Sequence, residues 1–354
     1  MRPFEYSPLP SRVIFGSGTL TRLDELLGEL GATRAIVLST PGRRDLALKV
    51  AAQIGARCVG IFDGAVMHTP IETTLQALER VTALGADIVI AIGGGSTIGL
   101  GKAIALRTDL PQIAIPTTYS GSEATPILGE TVARKKTTQR SPKVQPEVIL
   151  YDVELTLALP YALSVTSGFN AIAHAVEALY ARNGNPVVDF LAERGIAAFA
   201  TALPALQKDP GDRTARTEAQ FGGWACGVCL GSTDMALHHK LCHILGGAFN
   251  LPHAEMHTIL LPHALAYNAA AAPDAMMRIS RALGTADPVA GLVRLLDRLG
   301  APRALKDIGM PSDGIDLAAK LAVENSYPNP EPLTEIGLRG LLARAFDGQP
   351  PAAA

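Results

Sequence analysis

"IVIAIGGGSTIGLGKAIAL", residues 88–106, joins an uninterrupted apolar run to three glycines and then to a stretch of helix formers. A short run of branched apolar residues without polar alternation is what a strand covered on both faces looks like. Gly93, Gly94 and Gly95 let the chain turn tightly and bring backbone N–H groups close to a ligand. The helix that starts there adds its positive end, so the junction suits a phosphate or pyrophosphate. Ser96 and Lys102 favour that anion reading over a bare tight turn. The G-x-G-x-x-G fingerprint is absent, because Ile98 occupies its last place, so this differs from the standard dinucleotide turn.

Outward from that junction the first 150 residues repeat one pattern. "RAIVLST" (34–40), "RCVGIF" (57–62), "DIVIAI" (87–92), "QIAIPT" (112–117) and "EVILYD" (147–152) read as buried strands. Between them, "TRLDELLGELG" and "IETTLQALERVTALG" carry helical periodicity, the latter through Leu75, Leu78, Val81 and Leu84. Strands alternating with helices predict an α/β nucleotide-binding domain with a doubly wound parallel sheet over 1–158. "IPTTYSGSEATP" (115–126) follows the next strand and puts small hydroxyl residues at a carboxyl end, where open α/β sheets bind ligands. After "LTLALP" (155–160) only helical patterns remain, broken at "GNP", "KDPGD", "NLPH", "AAPD" and "YPNPEP", which predicts an all-α domain over 159–354.

The totals exclude several classes of function. The chain of 354 residues is 48% hydrophobic and 18% charged, with a formal charge of −2 and no extended basic block. Nothing in it asks for nucleic acid or an anionic membrane. "MRPFEYSPLPSR" lacks the apolar core of a signal peptide, and no run approaches a membrane span, so a cytoplasmic protein is expected. Cys226 and Cys229 form a C-x-x-C in the small, apolar segment "GGWACGVCLG", which reads as packing, not zinc or redox chemistry.

Four of the eight histidines fall in "HHKLCHILGGAFNLPH" (238–253). If 236–246 is helical, His239 and His243 are one turn apart on one face, and His238 points about a quarter-turn away. "GG" and "NLP" then bring the chain round so that His253 folds back. Asn170 and His174 have the same i, i+4 relation on an earlier helix. Ordinary core hydrogen bonding accounts for His238, His257 and His263 one at a time. It accounts poorly for 174, 239, 243 and 253 together, since each buried ring nitrogen would need a partner. His68, in "FDGAVMHTP", reads as a loop histidine or as a residue beside the site.

The two glycine and hydroxyl loops, with "SGFNAIAHAVEA" (167–178) and the histidine segment, resemble the iron-containing alcohol dehydrogenase superfamily along nearly the whole chain. The resemblance implies a nucleotide-binding α/β domain, a helical domain, an active site in the cleft between them, and a homodimer. It assigns the cofactor's phosphates to Gly93, Gly94, Gly95 and Ser96, with Thr117, Thr118 and Lys136 also near the cofactor. Where many members carry an acidic residue after the first nucleotide strand, this chain reads "LSTPGRR", with Thr40 at that end and Arg43 and Arg44 following. No carboxylate repels a 2′-phosphate, so NADH and NADPH are both expected as cofactors.

The metal-dependent members hold iron or zinc with an Asp and three His, whose counterparts here are Asn170, His174, His239 and His253. The only anionic ligand is thereby lost, and a metal is expected not to be required; if one binds, His174, His239 and His253 are its ligands. "FDGAVMHTP", "TTYSGSEATPI" and "HHKLCHILGG" are closest to the branch of the family that works in aromatic-compound degradation. The implied substrate is the dicarboxylate maleylacetate, whose conjugated C=C is reduced to give 3-oxoadipate. The implied catalytic residues are His243 nearest the nicotinamide, with His239, His253, His174 and Asn170. A metal-dependent alcohol or polyol dehydrogenase, a dehydroquinate-synthase-like lyase and a nucleotide-binding sensor stand as rival readings.

Overall fold

The computed structural model describes residues 4–132, 135–324 and 327–353, with the side chains of Lys135 and Lys136 outside that description. The chain divides into two compact units, one of Pro8–Leu159 and one running from Pro160 onward together with the N-terminal residues up to Ser7.

In the first unit, β1 (Arg12–Gly16), β2 (Ala35–Leu38), β3 (Cys58–Phe62), β4 (Ile88–Gly93), β5 (Gln112–Pro116) and β8 (Val148–Asp152) make a sheet in the order β1-β8-β5-β4-β2-β3. Every neighbouring pair is parallel. Two further strands, β6 (Ile127–Val132) and β7 (Lys135–Arg140), form a separate antiparallel pair. The helices are α1 (Leu23–Glu29), α2 (Arg44–Ile54), α3 (Ile71–Leu84) and α4 (Gly95–Thr108).

Side chains on a strand alternate between faces, and β2 shows what that achieves. Its Ala35 and Val37 pack with Leu23, Leu26, Leu27 and Val50 from α1 and α2. Its Ile36 and Leu38 pack with Ala77, Val81, Leu100 and Ile104 from α3 and α4. Both faces are dry, so every position of the strand is apolar and the run shows no alternation. Chain order then places the ligand crevice. From β2 the chain runs outward to β3, then crosses back to β4 on the other side of β2. Such a switch point opens a crevice at the carboxyl ends of the two strands, where Thr40 and Gly93–Ser96 lie.

Among the described residues the second unit is helical: α5 (Tyr161–Leu179), α6 (Pro186–Lys208), α7 (Arg213–Ser232), α8 (Leu237–Phe249), α9 (His253–Asn268), α10 (Pro273–Leu283), α11 (Pro288–Leu299), α12 (Gly314–Glu324) and α13 (Glu335–Asp347). Among the described residues, no helix is long and apolar enough to cross a membrane. One core joins α8, α9, α12 and α13 through Leu241, Leu245, Ile259, Leu260, Ala319 and Leu342. α5 is buried on every side from Ser164 to Leu179. Polar groups inside such a helix are costly unless partnered, so Asn170, His174 and Glu177 on it stand out. Cys226 and Cys229 lie buried on α7, where burial pushes both thiols up and keeps them inert. A Cβ at Gly195 of α6 would come within 2.7 Å of the Cys226 sulfur, so the C-x-x-C is close helix packing, as its composition suggested.

Candidate active site

The first unit builds an anion cradle at the start of α4. Gly94 is the residue before the helix and no side chain caps it, so the first amides point outward without carbonyl partners in the helix. Thr97 and Ile98 donate their amides to the Gly94 carbonyl at 3.0 and 3.1 Å. Gly93 has φ +157°, and a Cβ there would lie 2.4 Å from the Thr97 hydroxyl oxygen. One at Gly94 would lie 2.9 Å from the Thr118 methyl, whereas one at Gly95 would meet nothing closer than 3.7 Å. The Thr117 amide donates to the Gly93 carbonyl at 3.0 Å, which ties the loop after β5 to the glycine turn. Gly93, Gly94, Gly95, Ser96, Thr117 and Thr118 are thus brought together, with Thr40 at the end of the neighbouring β2.

Two basic residues behave differently from the sequence expectation. Lys102 does not serve the cradle: it is buried, and its ammonium donates to the carbonyls of Ser122, Thr125 and Ile127 and to the Thr125 hydroxyl. Seven residues beyond Gly95, it sits about 10 Å down the helix from the positive end. Its pKa is lowered to about 7 by burial, opposed by Glu123. Arg44 pairs with Asp63 at 2.5 Å, which leaves Arg43 as the less committed of the two arginines after β2. Lys136 lies on β7 opposite Thr131, and its side chain is outside the described residues.

The second unit gathers imidazoles from three helices. His174 Nδ1 lies 2.7 Å from His239 Nε2, and His239 Nδ1 lies 2.7 Å from a Glu177 oxygen. His257 is the hub of the rings, with centroids 4.8 Å from His238, 5.1 Å from His239, 4.3 Å from His253 and 6.2 Å from His174. His253 opens α9 and does return to the cluster, through His257. His243 follows His239 by one turn of α8 and is half-buried. Asn170 lies one turn before His174 on α5, and its amide oxygen is buried without a hydrogen-bond partner among the described residues. His238 and His257, each explicable alone as core, belong to this cluster; His263 sits apart from its ring contacts, near Arg303 and Arg344.

Burial disfavours the charged form of two rings of the cluster, His238 and His257. Burial, then the neighbouring histidines, pushes His257 well below the ordinary imidazole range. His238 is lowered to about 4 by burial and His239, against the pull of Glu177 and the His257 carbonyl. Burial pushes the Glu177 carboxyl up, against His238 and the amides of Ala236, His238 and His239. Its oxygens face N–H donors, so a proton on either would point at another proton, and the carboxylate is the form its surroundings accommodate.

Glu177 escaped the sequence reading although it shares a face of α5 with Asn170 and His174, at i+7 and i+3. It accepts from the amides of Ala236 (2.9 Å), His238 (2.7 Å) and His239 (3.4 Å), while Asn329 Oδ1 accepts from Leu237 (3.3 Å). Together they satisfy the four amides that α8 leaves without partners. A cavity of about 700 Å³ opens beside Ala236 and Tyr327; among the described residues its lining carries Arg182, Asp234 and Asp274 but no imidazole, so it is separate from the cluster.

A family model for iron-containing alcohol dehydrogenases matches residues 10–153, and one for the C-terminal part of the Fe-containing alcohol dehydrogenase family matches 164–346. The chain belongs to the iron-containing alcohol dehydrogenase family. It is an oxidoreductase of that family, and its fold is the family's. It is 53% identical to a maleylacetate reductase of Burkholderia cepacia over 99% of this chain and 100% of that protein. It is also 53% identical to one of Sphingobium indicum, over 98% and 99%. The crystal structure of maleylacetate reductase from Agrobacterium tumefaciens superimposes with a TM-score of 0.95 at 50% identity, covering 99% of this chain and 100% of that one.

The family's name raises the question of a metal, and among the described residues ring nitrogens of His238, His239 and His257 lie within 4.8 Å of one another. Asn170 offers a neutral amide oxygen and the histidines offer neutral nitrogens. Glu177, the carboxylate beside them, already accepts from three amides and a ring N–H. Three imidazoles alone can hold zinc, but with Glu177 occupied the set offers a divalent ion no free anionic ligand.

Proposed function

We propose that the protein uses NADH or NADPH to reduce the conjugated C=C of maleylacetate, giving 3-oxoadipate, as a cytoplasmic homodimer in the breakdown of aromatic compounds, and that it needs no metal. The reading rests on the buried imidazole cluster with an amide, Asn170, where metal-dependent relatives hold a carboxylate. The names and high identity of the full-length relatives support the substrate.

The first unit would hold the cofactor's pyrophosphate on the outward amides at the start of α4, with the hydroxyls of Ser96, Thr117 and Thr118 beside it. Neither Ser39 nor Thr40, which follow β2, can repel a 2′-phosphate, and Arg43 can attract one, so both cofactors are accepted. When bound, the dihydronicotinamide would supply a hydride to the alkene carbon β to the ketone. The displaced electron pair collects on the ketone oxygen as an enolate, and a proton then goes to the carbon next to the ketone.

Hydrogen-bond donors fixed in a dry site stabilise such an oxyanion without reorganising. His243, half-buried, is assigned to the reacting carbons and His253 to the ketone oxygen, with His174 and His239 as the paired rings that line the site beside them. Asn170 orients the substrate through its amide.

The test follows absorbance at 340 nm with freshly prepared maleylacetate and each cofactor, before and after exhaustive chelation. Turnover with both cofactors that survives chelation is expected; loss of activity restored by iron or zinc would favour a metal-dependent dehydrogenase instead. His243→Ala should lower kcat by about two to four powers of ten. Near-normal turnover would remove His243 from the mechanism.

A further inference from the structure

We infer that Glu177 is a positioning residue that dictates which nitrogens of the His239–His174 pair carry protons, an assignment that deepens the reductase reading and rests on it. Glu177 is completely buried on α5, and one of its oxygens lies 2.7 Å from His239 Nδ1. A carboxylate only accepts, so the His239 proton resides on Nδ1. His239 Nε2 then carries a lone pair, and the group 2.7 Å from it, His174 Nδ1, must be the donor. In the neutral ring the remaining nitrogen of the pair, His174 Nε2, is then an acceptor. A single carboxylate thereby sets two tautomers in series, and donation to the enolate falls to His243 and His253.

The same carboxylate caps α8 through the amides of Ala236, His238 and His239, so a capping role alone must be separated from the chemical one. Glu177→Met removes the acceptor at similar volume and weakens the cap. Glu177→Gln keeps an acceptor: its amide oxygen goes to the side where Ala236 N, His239 N and His239 Nδ1 converge, and its NH2 is left facing His238. Gln therefore preserves the His239 tautomer while removing the charge.

The decisive measurement uses the full-length protein labelled with ¹⁵N-histidine, the His239 ring being assigned by its loss in His239→Asn. Wild type is expected to show His239 protonated on Nδ1 alone. Glu177→Met should mix the two tautomers and lower kcat for maleylacetate by about tenfold to a hundredfold, with the KM for NADH unchanged. Glu177→Gln should recover the Nδ1–H signature and most of the turnover. An Nε2–H tautomer for His239 in the wild type overturns the assignment even if no variant folds. So does a Glu177→Met enzyme that melts lower yet keeps its kcat, since that is a cap and nothing more. Wild-type protein that leaves maleylacetate untouched would sink the reductase reading instead, because the tautomer measurement needs no substrate.

Discussion

Asn170 is where one atom separates two kinds of chemistry. Its amide oxygen is buried and unpartnered among the described residues, beside His174 on α5. Replacing that amide by a carboxylate adds the anion a divalent ion lacks here. Asn170→Asp is therefore expected to retain about one equivalent of zinc per chain after dialysis, where the wild type retains a small fraction, measured by elemental analysis. An Asp variant that stays as metal-poor as the wild type would show that something other than the missing charge keeps metal out. Residue 170 stood out in the sequence because His174 follows it by one helical turn, and the structure places both on one buried stretch of α5. Glu177 was not, because an acidic residue is by default a solvated one, and only the fold reveals that α5 is buried all round. His257 was passed over for a similar reason: taken singly, a buried histidine is ordinary, and its meaning comes from four other rings around it.

At the scale of elements, the strand-to-helix turn at 93–96 separates what the fold needs from what a ligand needs. A methyl at Gly93 collides with Thr97 and the backbone there is left-handed, so Gly93→Ala should cost about 1–3 kcal/mol and lower the melting temperature. Gly95 is different: the nearest atom to an added Cβ is 3.7 Å away, and a methyl costs the fold nothing. It would nonetheless stand over the outward amides. Gly95→Ala is expected to leave the melting temperature within a degree or two and weaken NADH binding about tenfold or more, read by fluorescence titration. Unchanged binding would place the pyrophosphate elsewhere. The central strands were visible in the sequence because burial on both faces makes every residue apolar. β1 was missed because, at the sheet edge, it keeps Val13 and Phe15 partly exposed, and the pair β6 and β7 because "ILGETV" and "KKTTQR" offer no apolar alternation. Lys102 was misread for want of one geometric fact, its two turns of separation from the helix start.

For the molecule as a whole, uncharged buried imidazoles make the second unit sensitive to acid. His238 and His263 both have their pKa lowered to about 4, by burial first, then by His239 for the former and by Arg303 and Arg344 for the latter. His257 is pushed down as well. In the unfolded chain these rings titrate near 6.5, so between pH 6.5 and 4 the unfolded state binds more protons than the folded one. Each ring's contribution is present in full above about 6.5 and drains away as pH falls toward 4, by on the order of 3 kcal/mol for a fully buried ring. The protein's one tryptophan, Trp224 on α7, reports this unit alone. Urea midpoints followed by its fluorescence should therefore fall steeply across that interval. His263 lies outside the ring cluster, so His263→Leu is expected to remove one ring's share of the slope while sparing turnover. A variant whose midpoint falls with acid as steeply as the wild type's would show that His263 contributes nothing to the acid sensitivity.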